Sequence, residues 1–175
     1  MTEPDLCKKT IKWFAQYGIK YPGTKFKGGI FHSLSNSLSV ILLSGAYYDY
    51  FADKHFFLDN EDLYRQMKEI LNEVITSRNP GEPHLYHSIW ISDAYSLGTY
   101  HTGSNICVYR ACRSLSRLAL EIFDEKEYAI ELENEANAIK NDIEKYMTVE
   151  SNGHRIFLEG IASLDPHTKE YMSDE

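Results

Sequence analysis

The sequence predicts an all-α chain of antiparallel helical hairpins, with one short extended segment near residues 154–158. Three observations predict it. Apolar residues recur at helical spacing in five long windows. Residues 103–123 and 125–147 stand back to back at Asp124, and each carries a continuous apolar face that it cannot bury alone. Short connections alternate with long ones, which suits helices that fold back on their neighbours. The 175 residues, 43% of them apolar, suffice for one helical domain spanning 1–175 with a real core.

The first window is 3–17. Thr2 can cap it, and Pro4 sits in the first turn, where a missing N–H costs nothing. Leu6, Thr10, Trp13, Phe14 and Tyr17 share a face that is expected to be buried, and Gly18 ends the helix. Residues 19–32 read as a loop with turn signals at Pro22-Gly23 and Gly28-Gly29. This glycine pair lacks the spacing and the following Lys-Ser/Thr of a phosphate loop.

Residues 33–52 form the second window, with Leu34, Leu38, Ile41, Leu42 and Tyr48 at helical spacing and serines small enough to admit a neighbouring helix. The third, 60–77, is capped by Asp59 or Asn60 and carries the stripe Leu63, Tyr64, Met67, Ile70, Leu71, Val74 and Ile75. Residues 78–102 contain no long element. They hold two prolines, two glycines, three histidines, three tyrosines and Trp90, with a short helical turn expected over 92–97. A connection of that length usually carries function or lies across a partner.

Ser104 is expected to cap the fourth helix, which runs to Phe123. Asp124 and Glu127 have the spacing of a capping box for the fifth. Its buried stripe is Tyr128, Leu132, Ala136, Ile139, Ile143 and Tyr146, and its opposite face is a solvated run of Glu, Asn and Lys. Asn152-Gly153 is a turn dipeptide, and Arg155 to Leu158 reads as extended. The polar tail has no apolar closing element, and the chain is expected to be a fragment, a subunit that closes with a partner, or a helical module that never closes.

Composition excludes several functions. A net charge of −8 opposes a nucleic-acid footprint, which needs a basic face. The longest apolar-rich run, Val40 to Leu43, is far too short to span a bilayer, and the N-terminus lacks a signal-peptide core. Cys7, Cys107 and Cys112 are odd in number, and no CxxC occurs, so free thiols and a cytoplasmic location are expected. His84 and His87 lie in a loop without convergent ligands, so no metal is expected, and no cofactor motif is present.

Five paired helices form either a small bundle or an arc of a larger ring. The segment YHTGSNICVYRACRSLSRLALEIFDEKEYAIELENEANAIKNDIEKYM, Tyr100 to Met147, resembles a hairpin of the six-hairpin glycosidases, which are (α/α)6-barrel carbohydrate enzymes. The resemblance rests on Asn105 at the helix start, the Tyr-Arg-Ala-Cys-Arg-Ser-Leu run, the acidic turn and the paired alanines after it. Tyr47 to Leu58 resembles a junction between toroid helices, and WISDAYS, Trp90 to Ser96, resembles a loop lining the barrel mouth. The chain holds about half of such a toroid. The resemblance therefore implies a partial α/α toroid, completed by a second copy or another chain, that acts on or binds oligosaccharides.

Glycoside hydrolysis asks for two carboxyl groups across a cleft. Asp93, in the aromatic loop, is the first candidate, and Glu159, after Ile156-Phe157-Leu158, is the second. Each has an alternative role: Asp93 as a cap for residues 94–97, Glu159 as the end of the extended segment. Trp90, Tyr86, Tyr95, Tyr100 and His101 are the candidate substrate-binding residues, and each could instead serve packing. Asp49 and Asp53 would share one side of a helix turn if the helix persists that far. The alternative function is a non-catalytic helical protein–protein interaction module.

Overall fold

The computed structural model describes residues 4–17, 30, 33–88, 90, 91, 94, 95 and 98–164. Among these the chain is mainly helical: α1 (Pro4–Tyr17), α2 (Leu34–Ser37), α3 (Ser39–Phe51), α4 (Lys54–Leu58), α5 (Glu61–Thr76), α6 (Thr102–Glu121) and α7 (Lys126–Tyr146). Six short strands accompany them: β1 (Trp90–Ile91), β2 (Ala94–Tyr95), β3 (Tyr100–His101), β4 (Thr148–Ser151), β5 (His154–Phe157) and β6 (Gly160–Ile161). They pair antiparallel as β1–β2, β3–β6 and β4–β5.

Helix α6 is the centre of the molecule. It packs on α7, α3, α2 and α5, and its buried residues include Asn105, Val108, Ala111, Cys112, Leu115, Leu118 and Ala119. Helix α7 returns along it through Ala129, Leu132, Ala136, Ile139 and Ile143, and the Ser116 hydroxyl donates to Ala129 O at 2.9 Å. Each fully buried Leu or Ile in this seam contributes on the order of 2 kcal/mol. Helix α5 buries the expected stripe, with Ile75 half-buried at its edge.

The helix α3 crosses α6 at very close range. At Gly45 an added methyl group would overlap the Ser114 side chain. The hydroxyls of Ser44 and Ser114 are buried there without a hydrogen-bond partner. Small side chains at this crossing let the two backbones approach, as the serine pattern suggests.

Several local expectations are corrected. Of the face named for α1, Phe14 packs against the core, but Leu6, Trp13 and Tyr17 are exposed, and the helix meets α3 and α5 through Cys7 and Ile11 beside Phe14. Asp53 does not continue α3. Ala52 adopts left-handed backbone (φ 49°), and Asp53 becomes the N-cap of α4, accepting from Phe56 N at 3.1 Å. Asp49 pairs instead with Arg110 and Arg117 across the surface, so the two aspartates do not share a site. Residues 94 and 95 are strand rather than helical turn, because Trp90 pairs with Tyr95 and Ile91 with Ala94.

Both caps of the long hairpin also differ from expectation. Helix α6 begins at Thr102, with His101 as N-cap; Ser104 lies inside the helix and donates its N–H to His101 Nδ1 at 2.9 Å. Asp124 has φ 54°, so it turns the chain in left-handed backbone, and Glu125 is the N-cap without a side-chain hydrogen bond. Aspartate tolerates that conformation better than most residues. The Asn152-Gly153 turn is as expected. Both residues have positive φ (50° and 76°), the requirement of a two-residue type I′ hairpin, and they join β4 to β5.

Connections sort to opposite ends of the helices. The short ones meet at one end, where Lys54 donates to Glu121 O at 2.9 Å and Tyr64 donates to Glu125 at 3.0 Å. The described parts of the long ones meet at the other. There Leu34 N donates to the Ser88 hydroxyl at 3.3 Å, Thr102 N to Glu159 O at 2.9 Å, and Leu158 N to Met147 O at 2.9 Å.

Candidate functional site

The candidate site is built around the first turn of α6. Asn105 is fully buried. Its Oδ1 accepts from Tyr86 N at 2.7 Å, and its Nδ2 donates to Tyr86 O at 3.0 Å and to His101 O at 2.9 Å. One amide therefore ties the middle of the long loop and the start of the helix to a single point. A buried amide with these bonds made is stable, and with them broken it is costly, which is why it specifies one loop position.

Beyond Asn105 the loop is fastened to α7. Tyr86 lies in the core and its hydroxyl donates to Glu135 at 2.6 Å. Burial, and then the carboxylate of Glu135, push the Tyr86 phenol well above its ordinary value. His84 Nδ1 meets the same Glu135 oxygen at 2.8 Å, and His84 N donates to Asp142 at 2.6 Å. Glu135 and Asp142 thus hold the loop. Glu135 was not among the sequence candidates; it meets the loop because the loop packs over α7.

On the other side of Asn105, β3 and β6 pair with Tyr100 opposite Ile161 and His101 opposite Gly160. The register sets Glu159 next to the start of α6, where its carbonyl accepts from Thr102 N and its side chain is exposed. Thr102 Oγ1 donates to Leu158 O at 2.5 Å. His101 is buried with Nδ1 accepting from Ser104 N, so the ring is neutral and carries its proton on Nε2. Burial lowers its pKa, and the nearby Glu159 carboxylate opposes that shift. The ring also fills the space where a side chain at Gly103 would project. Tyr100 is half-buried, and burial raises its phenol, with the charge of Glu82 adding to the effect.

Four of the seven sequence candidates therefore converge on one helix start: Tyr86, Tyr100, His101 and Glu159. Tyr86 is covered and offers no free ring face. His101 acts as a helix cap with one nitrogen committed. Trp90 and Tyr95 are described only in backbone, as paired strand residues. Asp93 lies outside the described residues. Cys112 is buried beneath the loop, and burial pushes its thiol up, away from the reactive thiolate.

Among the described residues no group of three or more His, Cys, Asp and Glu side chains is arranged to hold a metal ion, and no helix is long and apolar enough to cross a membrane. A scan against models of protein families and a search of curated proteins find no match to this chain.

Proposed function

We propose that this chain is part of an α/α toroid that binds and cleaves oligosaccharides at the rim formed by its long connections. The observation that carries this reading is the β3–β6 pairing, which brings an exposed carboxylate, Glu159, near the neutral imidazole of His101, with Tyr100 the preceding residue of the same strand. A sugar asks for this chemistry: a half-exposed ring to stack on, polar groups for hydroxyls, and a carboxyl group at the glycosidic oxygen. In the hydrolytic reading one carboxyl group donates a proton to the leaving oxygen and a second activates water or attacks the anomeric carbon. Glu159 is one of the pair and Asp93 is its proposed partner.

The test uses the full chain against a panel of oligosaccharides, with binding followed by ligand-observed NMR and cleavage by reducing-end release. Glu159→Gln and Asp93→Asn are each expected to abolish cleavage while leaving binding within about threefold. A chain that binds no glycan at millimolar concentration defeats the proposal, and the interaction-module reading then stands.

A further inference from the structure

Asn152-Gly153 is the only Asn-Gly pair in the sequence, and it makes up the whole turn between β4 and β5. Glycine has no Cβ to shield its amide nitrogen, so the backbone after this asparagine can attack the asparagine's own side chain. Every residue from 150 to 157 is exposed. The ladder ends with Ser151 opposite His154, which leaves the Gly153 N–H outside it. Asn36-Ser37 also has a small follower, but it lies in α2, where Ser37 N donates to Ser33 O at 2.9 Å. The nucleophile is tied up there and open at Gly153.

We infer that Asn152 is a site of spontaneous deamidation, gated by opening of the β4–β5 hairpin and ending in a turn that cannot re-form. Gly153 N bonds to Asn152 Cγ, and the Cγ–NH2 bond breaks. Ammonia leaves with the proton that Gly153 N gives up, and a five-membered imide remains. Water then opens the imide at either carbonyl, with no change of oxidation state. Opening at Cγ gives aspartate, and Asp-Gly still suits a two-residue turn. Opening at the main-chain carbonyl gives isoaspartate. Its main chain runs through Cβ and Cγ and is one carbon longer, so the tight turn no longer closes.

The folded turn holds the reaction back. Ring closure needs Gly153 N and Asn152 Cβ eclipsed about the Cα–C bond. Asn152 has φ 50°, in the left-handed region where ψ is about +47°, and that ψ sets the two atoms nearly opposite each other. The hairpin must therefore open first. Opening is cheap, because among the described residues β4 and β5 pair only with each other, and a lone two-stranded hairpin is marginal in water. It also leaves the rest intact, since Leu158 N donates to Met147 O at 2.9 Å and fastens the chain below the hairpin. The inference is independent of the glycan reading, which uses neither residue of the turn.

The test incubates the full chain in mildly alkaline buffer, folded or unfolded in guanidinium chloride, and follows each asparagine by peptide mapping and mass spectrometry. Asn152 is expected to convert first in the folded chain, about ten- to hundredfold slower than in the unfolded one, with isoaspartate among the products. Ile156→Gly removes the side chain opposite Val149 and is expected to speed the folded reaction about threefold or more, with an unchanged helical circular dichroism spectrum. The isolated isoaspartate form is expected to lose amide-exchange protection across the hairpin while the helices keep theirs. The inference is overturned by a folded chain in which Asn152 never converts, by equal rates folded and unfolded, by an unchanged rate in Ile156→Gly, or by a hairpin that stays protected in the isoaspartate form.

Discussion

The side-chain amide of Asn105 pairs with both backbone groups of Tyr86, accepting from its N–H at 2.7 Å and donating to its carbonyl at 3.0 Å. A single side chain thus does for the loop what a neighbouring strand does in a sheet. The same amide donates to His101 O, so the long loop and the start of α6 cannot shift independently.

Loss of that amide leaves buried backbone groups unpaired. Asn105→Ala is expected to destabilise the fold by about 2–4 kcal/mol, from three lost hydrogen bonds and the exposed need of Tyr86 for partners. Asn105→Asp places a carboxylate against two carbonyls and is expected to cost at least as much at pH 7. Urea unfolding measures both, and a loss below about 1 kcal/mol for Asn105→Ala would mean that water replaces the amide without penalty.

The α3–α6 crossing should be intolerant at one position and tolerant at the other. Gly45→Ala is expected to cost about 1–3 kcal/mol, because the new methyl group meets the Ser114 side chain. Ser114→Ala removes a buried hydroxyl that has no partner and is expected to be neutral or stabilising by up to about 1 kcal/mol. The pair Gly45→Ala with Ser114→Gly should recover part of the loss, and strict additivity in thermal or urea unfolding would show that the two side chains do not meet.

Acid should loosen the α1–α4 junction. Lys8, hydrogen-bonded to Asp53 at 2.8 Å, and the Tyr47 hydroxyl at 2.7 Å hold the Asp53 carboxyl down to about 2, from an ordinary 3.8. A folded-state pKa below the unfolded one means that the stabilisation is complete above about pH 4 and is lost as pH falls towards 2. After allowance for solvent screening the increment is on the order of 1 kcal/mol. Unfolding curves of the wild type and Asp53→Asn should therefore converge across that window, and parallel curves would refute the pairing.

His101 gives a second window with the same sign, at higher pH. Burial lowers its pKa from 6.5, so the unfolded chain takes up the proton first, and stability falls as pH drops below about 6.5. Protonation also removes the lone pair that accepts from Ser104 N. His101→Asn, which keeps a capping acceptor, is expected to cost under about 1 kcal/mol at pH 8 and to flatten the dependence below about pH 6.5, whereas His101→Ala loses the cap, at about 1 kcal/mol. An unchanged pH slope in His101→Asn would assign that dependence to another group.

The helices themselves were legible because their signal is local. The stripe of α5 and that of α7 repeat at helical spacing, and burial of Leu63 to Val74 and of Leu132 to Ile143 follows it. The Asn152-Gly153 hairpin was legible for the same reason, since the turn needs two residues that accept positive φ. The face of α1 was misjudged. Periodicity marks an apolar stripe but not which neighbour covers it, and Leu6 and Trp13 stand outside the core while Ile11 enters it.

Within the candidate site, sequence pointed to Tyr100, His101 and Glu159 as separate possibilities, and to Asn105 only through a family likeness. Their juxtaposition depends on the β3–β6 pairing, whose partners lie some sixty residues apart in the chain. No local pattern encodes that distance. Glu135 carried no signal at all, because an acid on a charged helix face looks the same whether it meets water or the Tyr86 hydroxyl.

Residue order alone determined where this chain is helical, where it turns, and that the long helices must be covered, because backbone preference and apolar spacing act within a few residues. Tertiary structure alone decided which helix is central, which carboxylates are committed to holding the loop, and which apolar face remains open. Those outcomes depend on which surfaces exclude water together, and that is settled only when distant segments pack.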